Sequence, residues 1–526
     1  MGRNGVHLVR EWPDEPQVRA WLTAPHDDLV RETVVVDDED GAKTGHELDA
    51  VSFAQQHGPF REYRRTVTAR DGRLHEHTDY RLVIPWFHWL FGPLVRRSIA
   101  RRSPQSREGQ PGWSPPDRLD QRQVRILGLL AAASLLTAFV NTLFTQTVSF
   151  AGDDFGVGDW GRGVAGTIVR IGILFGLPAA LLADRIGRRR VVVTLAWAAP
   201  IIASLGAVAP NFPLLVATQT FGRPLGLALD LLIAVIAAEE MPRGSRAYAI
   251  SVLAMANGLG AGVAVVALPL ADVGQSGWRW VYVLGLVWVL VARDLARHLP
   301  ETKRFEWHRS DESATPVPPL QRRRLAVQMA VAFFGNMLLS PASFFQNTFL
   351  KDERGFSAGM VSLFTIVTAT PAVIGLVIGG RVADRSGRRR LAVICAPTGA
   401  LLIALSFWFS GPLMWWSAII GAIIAATSYP PLAVYRTELF PTGNRGRAAY
   451  LILASALVGG SVSLLLTGAI VDGGTPYGPV MLALVSGPVV VALIVAFTYP
   501  ETARRELEEL NPEDHTLPVT RDESDE

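Results

Sequence analysis

Three ionisable residues stand well inside long apolar stretches of this chain: Arg170, Arg223 and Asp230. A charge in a hydrocarbon setting is costly, so it is kept where it meets a partner, a cavity or a transported species. Arg223 and Asp230 are seven residues apart. On one helix that spacing falls about 20° short of two full turns and separates them by about 10 Å along one face. A carboxylate beside a guanidinium is a proton switch, because burial works against its charged form while the cation works for it. Asp230, with Arg223 and Arg170, is therefore the candidate proton-coupling group. The alternative is a static Arg170–Asp230 or Arg223–Asp230 ion pair that only fixes packing.

The elements that carry these residues are set by where charge is absent. The 526 residues are 49% hydrophobic and only 18% charged, with a mean hydropathy of +0.25. Uncharged runs cover 126–152, 191–222, 247–271, 325–350, 355–380, 391–435, 448–471 and 473–500. About 20 apolar residues cross a bilayer as a helix, so most runs hold one span. The runs from 191 and 391 hold two each, split at Pro210-Asn211-Phe212-Pro213 and at Gly411-Pro412. With shorter segments ending at Asp184 and beginning after Trp278, the expectation is twelve transmembrane helices.

Arginine placement predicts orientation, since Lys and Arg of short loops stay on the cytoplasmic side. Alternate loops hold Arg185, Arg188–Arg190, Arg243, Arg246, Arg385, Arg388–Arg390, Arg445 and Arg447. The other side shows Arg162, Arg279, Lys351 and Arg354. Both termini are thus expected in the cytoplasm of a multi-pass plasma (cell inner) membrane protein. The net charge of +3 expresses this bias and is no sign of nucleic acid. The single cysteine, Cys395, excludes an intrachain disulfide. No Gly-x4-Gly-Lys-Ser/Thr stretch occurs, which argues against ATP-driven work. No cofactor or metal is expected.

Three patterns recur at nearly one spacing. Ala183-Asp184-Arg185-Ile186-Gly187-Arg188 returns as Ala383-Asp384-Arg385-Ser386-Gly387-Arg388, an offset of 200. Glu239 to Arg246 returns as Glu438 to Arg445, an offset of 199, and Pro300-Glu301-Thr302 returns as Pro500-Glu501-Thr502, again 200. Two six-span bundles with matching loops imply a parallel repeat whose substrate site lies between the halves near the midplane.

The Asp-Arg-x-Gly-Arg-Arg loops, with Gly380 before the second copy and Ala180 before the first, resemble the signature of the major facilitator superfamily. The resemblance covers about 120–512, and Glu438-Leu439-Phe440-Pro441-Thr442, Gly222-Arg223 and the Pro-Glu-Thr ends are similar to its sugar porter and metabolite–proton symporter branches. It implies gating loops at Asp184, Arg185, Gly187, Arg188, Asp384, Arg385, Gly387, Arg388, Glu239, Arg246, Glu438 and Arg445. In that fold, spans 1, 4, 7 and 10 line the cavity, so Asn141, Gln146, Asn336, Gln346, Asn347, Tyr429 and Tyr435 become candidate substrate-binding residues. For each of them an interhelical hydrogen bond is the competing reading. Arg223 matches the arginine that sugar porters pair with a span 1 carboxylate. Span 1 here has none, and span 7 lacks the paired glutamines of sugar porters.

Residues 1–118 precede this region as a cytosolic extension. Glu62–Ala69 and Arg73–Leu82 flank Arg70-Asp71-Gly72, a hairpin signal. The apolar Pro85–Ile99 stretch, trailed by Arg96, Arg97, Arg101 and Arg102, suits an amphipathic helix lying on an anionic leaflet. The order of strand pair then helix is similar to a piece of a helix-grip lipid-binding domain.

The expected organisation is an all-α integral membrane protein: an extension (1–118), a six-helix bundle (119–299), a central loop (300–322), a second bundle (323–500) and a tail (501–526). The resemblance implies a non-enzymatic, monomeric secondary transporter for a small polar or amphipathic solute, coupled to protons, with the lipid bilayer as its setting. A proton-driven drug efflux antiporter and a non-transporting sensor are the alternatives.

Overall fold

The structure is a computed structural model that describes residues 5–35, 50–70, 72–105, 109–111, 113–115, 117–176, 182–183, 186–242, 245–301, 321–438, 440 and 445–500. The expected loop residues Asp184 and Arg185 lie outside the described residues, as do the side chains of Arg246, Asp384, Arg385, Glu438 and Arg445.

The extension folds as more than the expected hairpin. Strands β1 (Val6–Pro13), β2 (Arg31–Val35), β3 (Val51–His57), β4 (Phe60–Arg70) and β5 (Arg73–Leu82) form one antiparallel sheet in the order β1-β5-β4-β3-β2. Helix α1 (Pro16–Leu22) follows β1, and α2 (His88–Ala100) follows β5. Of the three further strands, β2 breaks the apolar alternation with a charged inward residue, Glu32, which is buried like Arg65 of β4 and Glu76 of β5. They are held by one another and by their neighbours. Arg65 bonds Glu32 at 2.7 Å and the carbonyls of Leu22 and Ala24, while Arg10 bonds Glu76 at 2.8 Å. Arg102 bonds Asp28 at 2.6 Å and the Tyr63 hydroxyl at 2.9 Å. A buried charge is tolerated only with such complete pairing. Burial pushes the Glu32 carboxyl up, and the guanidinium groups of Arg65 and Arg102 more than offset it, so it sits below its ordinary value. Helix α2, expected on a leaflet, instead buries Val95 and Ile99 against Phe60, Tyr63 and Tyr80 of the sheet, and Arg102 is buried with them.

The rest is helical. The N-terminal half holds α3 (Gln121–Asp154), α4 (Asp159–Gly172), α5 (Arg188–Ser204), α6 (Phe212–Glu240), α7 (Arg246–Val266), α8 (Trp278–Leu284) and α9 (Val289–His298). The C-terminal half holds α10 (Arg322–Asp352), α11 (Ala358–Ala369), α12 (Ala372–Ser386), α13 (Arg388–Ser406), α14 (Gly411–Glu438), α15 (Arg445–Asp472), α16 (Tyr477–Leu484) and α17 (Ser486–Thr498). Among the described residues, ten helical segments are long and apolar enough to cross a membrane. The segment from Trp278 to His298 is broken into α8, a 3-10 turn and α9, and that following Asp159 passes from α4 into a 3-10 turn, so neither counts among the ten.

Local signals start and stop these helices. Asp120 caps α3 through a capping box with Gln123, its side chain accepting from the Gln123 amide at 2.7 Å. Asn211 and Ser357 cap α6 and α11 in the same sense. Gly187 and Gly387, equivalent in the repeat, both take positive φ, 105° and 99°, immediately before α5 and α13. That left-handed geometry is why a glycine stands in both copies. Packing repeats as well: α3 against α7 and α5 against α6 in one half, α10 against α15 and α13 against α14 in the other.

Candidate functional site

The halves meet through α4 on α15, α3 on α10, and α11 on the turn after α7. The cross-half bonds between described residues lie at the end remote from the arginine-rich loops. Arg162 on α4 bonds Asp153 at 2.5 Å, Asp159 at 3.2 Å and, across the halves, Asp352 at 3.2 Å. Lys351 pairs with Asp153 from the other side. Asp272 accepts from the amides of Ala358 and Gly359 at 2.9 and 3.0 Å, where the first turn of α11 favours a negative charge. One layer deeper, Asn347 Nδ2 donates to the Gln146 side chain at 2.9 Å and Thr167 Oγ1 to the Ser461 carbonyl at 3.2 Å. These contacts close the end of the bundle that lies away from the arginine-rich loops.

Further along α4 from Arg162 comes the first of the buried charges, Arg170. Arg170 lies at the C-terminal end of α4 with its guanidinium against Gly460 of α15; a Cβ there would come 3.0 Å from Arg170 Cζ and would collide with Ser340 Oγ of α10. Arg223 on α6 lies within electrostatic range of Arg170. The Nε atoms of both arginines are sealed from solvent without a hydrogen-bond partner among the described residues. Neither has a carboxylate within 4.0 Å among the described residues.

Asp230 does not join them. Its Oδ1 accepts from Thr137 Oγ1 of α3 at 3.1 Å and from Asn257 Nδ2 of α7 at 3.2 Å, two neutral donors. The static Arg–Asp230 pair weighed from the sequence is therefore absent, and the expectation that an arginine sits on this carboxylate is corrected. The physical reason is axial: Arg223 lies about two turns, about 10 Å, along the same face of α6 beside α4, while at the level of Asp230 α3 and α7 supply a hydroxyl and an amide.

The polar candidates divide similarly. Asn141 approaches Gly226 of α6, and its Oδ1 is buried and unpartnered among the described residues. Gln146 and Asn347 hold the halves together. Gln346 donates to Thr365 at 3.1 Å and Asn336 to its own helix at Ala332 O, 3.0 Å. Tyr429 is 60% exposed, whereas Tyr435 is buried against Tyr499 with its hydroxyl on Pro500 O. Tyr435 is thus not brought to the charges. Sequence reasoning missed Thr137, Asn257, Ser340 and Gly460, whose roles depend on which helix faces which. It also missed the Arg162 cluster, for which the signal was present: acidic and basic residues just past the ends of the 126–152 and 325–350 runs.

The Major Facilitator Superfamily model matches residues 130–357 and again 325–521, one match to each half. The chain belongs to the major facilitator superfamily, and is a multi-pass membrane transporter rather than an enzyme. It is similar to the arabinose-proton symporter of Bacillus subtilis, 23% identical over 430 residues, covering 72% of this chain and 91% of that protein. It is also similar to the cis,cis-muconate transport protein of Acinetobacter baylyi, 23% identical over 375 residues, covering 67% and 90%. Among solved structures, the xylose transporter XylE of E. coli in its inward open conformation shares the fold, with a TM-score of 0.61 at 17% identity over 74% of this chain and 99% of that one.

Proposed function

We propose that this chain is a secondary transporter that carries a small organic carboxylate by alternating access, coupled to protons through Asp230. The observation that carries the reading is the pair Arg170 and Arg223, two guanidinium groups between the halves without a carboxylate partner among the described residues. A cation inside a membrane-spanning bundle needs an anion or a polar cage, and a fork of N–H donors fits a carboxylate in a bidentate manner. The named relatives include carriers of both kinds, an arabinose symporter and a muconate transporter. The unpaired arginines favour the acid over the sugar, and Asn141 Oδ1 and Ser340 Oγ supply neutral groups for the rest of the solute.

Bound carboxylate neutralises Arg170 and Arg223, which lets the two halves rock around the charged site. Asp230 sits apart, held by Thr137 and Asn257, where it exchanges a proton without breaking an ion pair. In this reading the two broken segments complete twelve spans, the arginine loops and both termini face the cytoplasm of the inner membrane, and the monomer is the working unit.

Uptake of cis,cis-muconate and of arabinose into proteoliposomes, with and without an imposed pH gradient, tests the proposal. Uptake of the acid is expected, dependent on the gradient and lost in Arg170→Gln and Arg223→Gln. Arabinose uptake that survives both substitutions would instead establish a sugar carrier in which the arginines are structural.

A further inference from the structure

The extension docks on the N-terminal half. Trp86 Nε1 donates to Asp294 at 2.9 Å, the amide of Asp117 to Ser245 Oγ at 2.8 Å, and Tyr248 to the Trp113 carbonyl at 3.1 Å. Between the β4–β5 hairpin and the first turns of α3 this docking leaves an open cleft of about 800 Å³. Its walls carry Arg61 of β4, Arg81 of β5, and Arg122 and Arg125 of α3. Arg122 is occupied by Glu240 at 3.4 Å. Arg61, Arg81 and Arg125 have no ion pair or side-chain hydrogen bond among the described residues. Asp294, the acid in the wall, is taken by Trp86 and by His298 at 2.6 Å. His88 also lines the cleft, and its Nε2 is buried without a partner among the described residues.

Three uncommitted guanidinium groups contributed by two separate folding units converge on one space, and the far wall of that space is apolar. Half-buried Val83, Ile84 and Pro85 line it together with Trp86, which is 40% exposed and bonds Asp294 of α9. Tryptophan at a membrane–water boundary marks the headgroup level, and arginine is the side chain best suited to a phosphate.

We propose that this cleft binds the headgroup of an anionic phospholipid, its phosphate held by Arg61, Arg81 and Arg125 and its glycerol end resting on Trp86. The lipid bridges the extension to the transport bundle, since the strand arginines and the α3 arginine cannot both be neutralised by either unit alone. A membrane lipid rather than a soluble phosphate is favoured because two exposed tryptophans, Trp86 and Trp89, stand at the mouth, with Trp86 tied to α9 of the membrane bundle. The proposal does not depend on the carried solute.

The test is native mass spectrometry of the full-length protein in detergent, titrated with phosphatidylglycerol, with phosphatidylcholine, or with soluble glycerol 3-phosphate. Phosphatidylglycerol is expected to bind in preference to the other two. The triple substitution Arg61→Gln/Arg81→Gln/Arg125→Gln is expected to weaken it on the order of a hundredfold, while Arg293→Gln, which removes an exposed charge on α9, leaves it unchanged. Equal binding of phosphatidylcholine, or undiminished phosphatidylglycerol binding by a triple variant with the parent's thermal transition, overturns the proposal. Glycerol 3-phosphate binding as tightly as the lipid also overturns it, in favour of a soluble phosphate ligand.

Discussion

Arg162 of α4 reaches across the two halves to the carboxylate of Asp352, the last residue of α10, at 3.2 Å, while also bonding Asp153 and Asp159 on its own side. One cation thereby ties the ends of three helices at the closed end of the bundle. The Arg162 side chain is 6% exposed and that of Asp352 41%, so the cross-half pair is partly screened and contributes about 1 kcal/mol.

Asp352→Asn is accordingly expected to shift the access equilibrium toward the state open on the far side by roughly fivefold. A cysteine introduced at Ser340, with Cys395 replaced by Ser, reports this as faster reaction with an impermeant thiol reagent added from that side. An unchanged labelling rate would show that the cluster does not set the equilibrium.

Gly460→Ala places a methyl group where Arg170 and Ser340 now stand. Overpacking of this kind costs about 1–3 kcal/mol, and here it displaces the guanidinium proposed to hold substrate. Transport should fall at least tenfold with normal membrane insertion. Gly258→Ala, where a Cβ meets nothing within 4 Å, should transport normally. Equal rates in both variants would remove Gly460 and Arg170 from the site.

Asp230→Asn preserves the hydrogen-bonding shape but cannot release a proton. Accumulation driven by a pH gradient should be abolished, and exchange between two equally loaded compartments should persist. Concentration of substrate by Asp230→Asn to the parent's level would refute the coupling role and make Asp153 the next carboxylate to examine.

The extension should lose stability as the pH falls through the weakly acidic range. Burial, helped by the nearby Arg65, pushes the His26 imidazole down from 6.5 to about 4. A group that stays neutral when folded but protonates when unfolded contributes its full stability above pH 6.5, and that contribution is lost as the pH drops toward 4. The loss amounts to about 3 kcal/mol. Glu32, held below its ordinary value, acts in the same direction at still lower pH, because its contribution disappears once its carboxyl protonates. Hydrogen-exchange protection across 50–70 in the full-length protein, taken relative to the intrinsic exchange rate at each pH, should fall between pH 6.5 and 4, and His26→Gln should flatten that dependence. A parent profile already flat over this window would contradict the assignment.

The sequence by itself determined the apolar spans, the repeat and the family, because a hydrocarbon solvent imposes its demand residue by residue on each helix, and positive φ demands glycine locally at 187 and 387. It also exposed the three charges, since an ionisable group in an apolar run is conspicuous without any knowledge of its neighbours. Only the tertiary structure decided what those charges meet. Asp230 takes Thr137, 93 residues away, and Asn257, 27 away, in place of an arginine, and Arg170 is accommodated by a glycine in the other half. Such choices follow from the placing of one helix against another, which the periodicity of a single helix leaves free. The β4–β5 hairpin was legible, whereas β2 was hidden for a related reason: Glu32 is interior only because Arg65 of β4 supplies its counter-charge, and pairing at that distance in sequence becomes visible once the strands are assembled.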